Sequence, residues 1–144
     1  MFNPLQHEVL LKNQWHEIIY FKAVNLIRHN YTTYTKHMDA GNYRQVMREH
    51  AQLLKEKNPA FILEDTRNFH FVINPELRTW LQDYMKEQMK EMEVLRTAII
   101  SGDDFLVQLS IEQLIPDDIE RNVMKELRYF EEEEEALLWL TGPL

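Results

Sequence analysis

Cysteine is absent from this chain of 144 residues, which excludes a disulfide framework and thiol chemistry. Glycine and proline are scarce as well, at three and five residues, and they form no low-complexity linker, so we expect one domain over residues 1–144. No apolar run approaches the ~20 residues that a membrane-spanning helix needs. The N-terminus also lacks the basic and then apolar order of a secretory signal. We therefore expect a cytoplasmic protein.

Basic residues are in the minority. Sixteen Lys and Arg stand against 24 Asp and Glu, which gives a formal net charge of −8. Surfaces that bind nucleic acids or anionic membranes concentrate Lys and Arg, so the charge argues against both kinds of partner. A protein partner and a small apolar ligand remain open, and the Tyr and Trp content permits a homodimer.

The order of apolar patterns predicts an α/β fold. An antiparallel hairpin comes first, and helices then alternate with strands, which implies parallel strands with helices covering the sheet. We therefore predict a mixed β-sheet with about four helices, and a polar segment after Pro116. The predicted strands cover residues 8–12, 15–21, 26–35, 60–65, 94–100 and 126–130, and the predicted helices cover 43–58, 75–91, 105–114 and 132–140.

The segment 59–84 is the most informative part of the chain. A short apolar block, Ala60–Leu63, suits a buried parallel strand, and polar residues follow it at once. Asn74-Pro75-Glu76 then has the order of a helix start. Ligands and partners of open α/β sheets gather at the carboxyl ends of strands, where the next predicted strand ends at Ser101. The candidate binding residues are Asp65, Thr66, Arg67, Asn68, His70, Ser101 and Asp103.

Each of these candidates also has a structural interpretation. Asp65 suits a general base or ligand contact, but it equally suits a loop cap or a pair with Arg67. Arg67 suits a clamp for a carboxylate or phosphate, or else the structural partner of Asp65. His70 is expected to be an ordinary loop histidine. Asp103 or Asp104 can cap the following helix, and no other role is expected of Asp103.

Known catalytic and metal-binding motifs are missing. The six histidines form no recognised metal motif: His16-Glu17 lacks a second histidine at the zincin spacing, where Tyr20 stands. There is no Gly-rich phosphate loop and no G-x-S-x-G elbow. We therefore predict no metal and no cofactor, and a non-enzymatic role is the leading interpretation.

Three segments carry a family resemblance. ILEDTRNFHFVINPELRTW, TAIISGDDFLVQLSIEQL and RYFEEEEEALLWL are similar to the later strand–helix units of uncharacterised bacterial STAS-like proteins. Together with the element order over residues 15–140, they resemble the SpoIIAA-like fold. That fold is shared by STAS domains, which are anti-sigma-factor antagonists, and by CRAL-TRIO lipid carriers. The resemblance implies a regulatory or protein-binding domain.

One departure from the family bears on mechanism. STAS antagonists that act by phosphorylation are implied to carry a Ser-Ser/Thr-Gly-Leu-type step where the helix begins. Here Thr66 lies several residues before the helix and no glycine follows it, so we do not expect a phosphorylation switch.

Three functional hypotheses follow. The first is a STAS-like regulatory or protein-interaction domain. The second is a carrier or sensor of a small apolar, lipid-like ligand, which a hollow of roughly 300 Å³ or more lined by aromatics would support. The third is a hydrolase-type enzyme that uses Asp65 with His70 or Ser101.

Overall fold

The fold is a single mixed sheet flanked by helices on both faces. The computed structural model describes residues 6–114 and 124–144, and the polar segment predicted after Pro116 lies outside these ranges apart from its last residues. The strands described are β1 (Glu8–Lys12), β2 (His16–Phe21), β3 (Leu26–Tyr31), β4 (Phe61–Asp65), β5 (Val94–Ile100) and β6 (Met124–Phe130). The helices described are α1 (Ala40–Lys57), α2 (Pro75–Met89), α3 (Phe105–Glu112) and α4 (Glu133–Thr141).

Strand order follows chain order. Within the described ranges the sheet runs β1-β2-β3-β4-β5-β6. The first two pairings are antiparallel and the next three are parallel. Both the antiparallel entry hairpin and the alternation of later strands with helices are thereby confirmed. No helix of the described ranges has the length and apolarity to cross a membrane.

Helix caps decide several element boundaries. Asn74 accepts a hydrogen bond from the backbone N–H of Leu77 at 2.9 Å and so starts α2 at Pro75, as predicted. Of the two residues predicted to cap α3, Asp103 does not do so. The cap is Asp104, whose side chain accepts from the N–H of Val107 at 3.2 Å, because this residue directly precedes the first helical position.

The β3 boundary also differs from its prediction. The strand ends at Tyr31, and a 3₁₀ helix, Thr33–His37, follows where the sequence pattern extends the strand to residue 35. The hydroxyl of Thr35 donates to the carbonyl of Thr32 at 2.9 Å. Threonine side chains that bond to nearby backbone in this way compete with the hydrogen bonds of a strand.

Strand β4 separates two packed layers. Ile62 packs with Leu54 of α1 on one face, and Leu63 packs with Leu140 of α4 on the other. Because successive side chains of a strand point to opposite faces, Glu64 lies on the α1 face and Asp65 on the α4 face. Two polar clusters therefore form around neighbouring residues of one strand.

Candidate functional site

Asp65 lies at the centre of an ion-paired cluster at the carboxyl end of β4. The guanidinium of Arg67 donates to both carboxylate oxygens, from Nε to Oδ1 at 3.0 Å and from Nη2 to Oδ2 at 2.6 Å. The backbone N–H of Arg67 also donates to Oδ1, at 3.2 Å. From β3, Nη2 of Arg28 donates to Oδ2 at 3.0 Å. Both oxygens of Asp65 are thus occupied by local partners.

A second acid closes this cluster from α4. The carboxylate of Glu133 accepts a hydrogen bond from Arg28 and another, at 3.3 Å, from Arg67. Burial alone would raise the pKa of Asp65, but the hydrogen bonds and charge of Arg67, with the charge of Arg28, outweigh burial and hold that pKa below its ordinary value. An ionised, fully paired carboxylate suits a structural role better than that of a general base.

Arg67 is the most exposed member of the cluster. Its side chain is 45% exposed, although Asp65 and Glu133 hold its guanidinium from one side. The planar fork of an arginine can bind a carboxylate or a phosphate. Of the cluster, Arg67 is therefore the residue best placed to contact a partner.

Thr66 uses its hydroxyl internally. The side chain is buried, and Oγ1 donates to the carbonyl oxygen of Ile100 at 2.6 Å and accepts from Nε2 of Gln108 at 3.3 Å. A kinase could not reach this hydroxyl without breaking both contacts. Phosphorylation of Thr66 would therefore require the sheet corner to open.

Asn68 and His70 are exposed, and both contact the 3₁₀ helix through their backbones. The Thr35 hydroxyl donates to the carbonyl of Asn68 at 3.2 Å and accepts from the N–H of His70 at 2.9 Å. These bonds fix the path of the loop and leave both side chains facing outward.

The loop after β5 touches the loop after β4. A Cβ atom added to Gly102 would lie 3.2 Å from the carbonyl oxygens of both Thr66 and Arg67, a contact tight enough to favour glycine. Ser101 is half-buried beside it, with its backbone N–H bonded to Phe130, and Asp103 is exposed. We call Asp65–Asn68 together with Ser101–Asp103 the sheet corner.

The described residues of the sheet corner do not join Asp65 to the partners of the third hypothesis. Within residues 6–114 and 124–144, no hydrogen bond joins the Asp65 carboxylate to His70 or to Ser101. A general base needs its proton donor within hydrogen-bond reach. The third hypothesis therefore has no geometric support.

Apolar side chains project into solvent next to the sheet corner. At the start of α3, Phe105 is 74% exposed and Leu106 is 63% exposed, and Leu109 is partly exposed one turn later. Only Asp103 and Asp104 separate the first helical residue, Phe105, from Gly102, which lies against the backbone of Arg67, so this apolar surface adjoins Arg67. Exposed large apolar side chains that lie together commonly mark an interaction site.

A second polar cluster lies on the opposite face of the sheet and is buried. Nε2 of His16 contacts Oε1 of Glu49 at 2.9 Å, and Nδ1 of His16 contacts Nε2 of His29 at 2.9 Å. Nδ1 of His29 contacts Oε2 of Glu64 at 2.8 Å. The other oxygen of Glu64 lies 2.6 Å from Nε2 of His50. We call these five residues the histidine network.

Sheet register assembles the histidine network. His16, His29 and Glu64 come from the neighbouring strands β2, β3 and β4, with His29 directly opposite Glu64. His50 comes from the buried face of α1, where its ring stacks on that of His29 with centroids 4.0 Å apart. The network thus ties α1 to three strands.

Burial sets the protonation of this network. It lowers the pKa of His16, and it lowers the pKa of His29 to about 3. Burial alone would raise the pKa of Glu64, but its close contacts with the imidazoles of His29 and His50 outweigh burial and hold the pKa of this carboxyl below its ordinary value. We therefore describe Glu64 as ionised, and His16 and His29 as neutral, at neutral pH.

A cavity of about 130 Å³ adjoins the histidine network. His50 and Glu64 contribute to its wall, which is otherwise mainly apolar and includes the rings of Tyr31, Tyr43 and Phe69. Among the described residues, two buried polar atoms of its lining side chains have no hydrogen-bond partner, Nδ1 of His50 and Oγ1 of Thr97. The cavity is smaller than the hollow of roughly 300 Å³ expected for a lipid-like ligand.

Sequence reasoning missed the histidine network. Thirteen residues separate His16 from His29, and fourteen separate His50 from Glu64, so no short motif connects them. One signal is present in the sequence: His50 lies within the apolar stripe of α1, between Val46 and Leu54. A histidine on a buried face needs a polar partner, but the pattern does not say which residue supplies it.

Comparison with known proteins identifies the family. A family model described as SpoIIAA-like matches residues 31–141, which is more than half of the chain and includes β4, β5, β6 and all four helices. No curated protein and no solved structure matches the chain. The chain therefore belongs to the SpoIIAA-like family.

Proposed function

We propose that this chain is a STAS-like regulatory domain that binds a protein through the sheet corner and the start of α3. The observation that carries the proposal is the pair Phe105 and Leu106, both more than half exposed, beside the accessible guanidinium of Arg67. Aromatic and arginine side chains dominate the binding energy of many protein interfaces. The partner should present an apolar groove with an acidic side chain at its edge.

Charge replacement at the apolar surface tests this proposal. Leu106→Asp should abolish stoichiometric capture of a protein from the native cytosol, because an interface core excludes unpaired charge. Leu138→Asp is the matched control, since Leu138 is 66% exposed on α4 and lies outside the proposed surface. Arg67→Ala should weaken capture with the fold intact. Captured protein is quantified by mass spectrometry, and circular dichroism checks the fold of each variant.

Two outcomes count against protein binding at this surface. One is the absence of any stoichiometric partner of the wild-type chain. The other is equal capture by the Leu106→Asp and Leu138→Asp variants, which would place the interface elsewhere.

A second candidate function is binding of a small apolar molecule in the cavity. The volume of about 130 Å³ resembles that of engineered apolar cavities that take up benzene, at about 150 Å³, and it is too small for a lipid chain. Titration with benzene, followed by two-dimensional NMR, should shift signals of lining residues such as Phe69 and Met89 and leave exposed α4 signals unchanged. A cavity that holds only water would give no saturable shifts and would remove this candidate.

A further inference from the structure

Counted with ionised carboxylates and neutral imidazoles, the histidine network has one hydrogen too few for its contacts. Three contacts join Glu49 to Glu64 through His16 and His29, and each needs a hydrogen between its two atoms. An ionised carboxylate has no proton to donate, and a neutral imidazole has one N–H. Two neutral histidines thus supply two hydrogens for three contacts. One contact must bring two lone pairs within 3 Å of each other, unless a positive charge lies between them.

A positive charge would fit at the buried end of the network, between His29 and Glu64. If Nε2–H of His16 donates to Glu49, Nδ1 of His16 accepts from Nε2–H of His29. Nδ1 of His29 then carries a lone pair that faces Oε2 of Glu64 at 2.8 Å. Nε2 of His50 faces the same carboxylate. Three potential ligand groups therefore converge where the proton is lacking.

We propose that His29 Nδ1, His50 Nε2 and the carboxylate of Glu64 bind one divalent transition-metal ion, of which Zn²⁺ is the representative. These ligand atoms all lie within 4.8 Å of one another. An ion about 2.0–2.2 Å from each ligand joins atoms up to about 4.4 Å apart, so the side chains need to move inward only slightly to bind it. Imidazole and carboxylate ligands suit zinc and related ions. This site goes beyond the proposed protein-binding function and does not depend on it.

The rest of the network supports the proposed ligands. A metal-binding histidine commonly donates its other N–H to an outer partner, which fixes its tautomer and orientation. His29 has this partner in His16, which in turn donates to Glu49. With the ion bound, the His29–His16 and His16–Glu49 contacts each contain one hydrogen. Both His16 and His29 then stay neutral.

The cavity supplies the open side of the site. Three protein ligands leave at least one coordination position free, as in catalytic rather than structural zinc sites. Since His50 and Glu64 line the cavity, that position can face it. In the metal-bound state the proton of His50 moves to Nδ1, the buried atom without a protein partner, where a water or a bound molecule in the cavity can accept it.

Metal titration of the full chain tests the site. Protein stripped with a chelator should bind one equivalent of Co²⁺, with visible absorption bands that Zn²⁺ abolishes on displacement. Glu64→Gln keeps the shape but removes the charge, and should abolish stoichiometric binding. Glu49→Gln alters the group that orients His16, the outer partner of His29, and should weaken affinity by about 10-fold, the low end of the range for outer partners. His70→Ala removes an exposed histidine outside the network and should leave affinity unchanged.

Three results would overturn the proposal. They are the absence of saturable one-equivalent binding to the wild-type chain, equal affinities of the wild-type chain and the Glu49→Gln variant, and loss of binding in His70→Ala. If the wild-type chain bound no metal ion, the positive charge in the network would be an extra proton shared by His16 and His29. If Glu64→Gln does not fold, the Glu49→Gln variant carries the test, because Glu49 is partly exposed and is not a ligand. Failure of metal binding leaves the capture experiments with Leu106→Asp unaffected.

Discussion

Replacing Asp65 by alanine is expected to lower the free energy of unfolding by about 3 kcal/mol. The carboxylate is buried, and two guanidinium groups together with the backbone N–H of Arg67 lose their acceptor when it is removed. Glu133 remains as a partner for Arg28 and Arg67, which keeps the loss from being larger. Urea denaturation followed by circular dichroism measures the change.

Arg67→Ala is the contrasting variant. The side chain of Arg67 is 45% exposed, so solvent screens its ion pairs, and the expected loss is below about 1 kcal/mol. Arg28 still pairs with Asp65 in this variant. If the Asp65 and Arg67 variants lost equally little stability, the carboxylate would not be a structural residue, and a ligand-binding role for Asp65 would again be open.

The sequence predicts most of the fold because the local signals agree. Strands β1 and β5 have the predicted bounds, since polar or glycine-containing breaks stand beside them. The end of β3 could not be predicted in this way. Thr32 and Thr35 favour strands by residue type, but the hydroxyl of Thr35 bonds to the Thr32 carbonyl and to Asn68, a choice that depends on tertiary contacts.

In the candidate site, contacts between residues close in sequence could be predicted, whereas contacts between distant residues could not. The Asp65–Arg67 pair spans two positions and is visible as a structural alternative in the sequence. Arg28 and Glu133 are 37 and 66 positions from their partners Asp65 and Arg67, and only the sheet order brings them together. The histidine network depends on strand register. The alternation of residues in a sequence shows which face of a strand each side chain occupies, but it does not show which residue of the neighbouring strand lies opposite.

Glu64 and Asp65 link the two clusters through one peptide unit. Their side chains point to opposite faces of β4, and each is held by cationic or imidazole partners from other elements. The carboxyl end of β4 is therefore fixed from both sides. The exposed surface at α3 adjoins a rigid support, which lowers the entropic cost of binding a partner.

Arg96 connects β5 to the end of α4, and Arg96→Ala is expected to lower the free energy of unfolding by about 3 kcal/mol. The side chain is buried. Its Nη1 donates to the carbonyl of Trp139 at 2.5 Å and its Nη2 to that of Pro143 at 2.7 Å. The last carbonyls of a helix have no partners within the helix, and a basic side chain here also complements the helix dipole.

Arg128→Ala is the matched control for Arg96→Ala. Both guanidinium groups lie over the ring of Trp139, at 5.1 Å for Arg96 and 5.0 Å for Arg128, but Arg128 is 60% exposed and should contribute less than about 1 kcal/mol. Hydrogen exchange should show α4 opening in the Arg96 variant alone. Because Glu133 of α4 completes the cluster around Asp65, protein capture should fall with Arg96→Ala and not with Arg128→Ala. Unchanged exchange in α4 after Arg96→Ala would show instead that apolar packing by Ala136 and Leu140 holds the helix on the sheet.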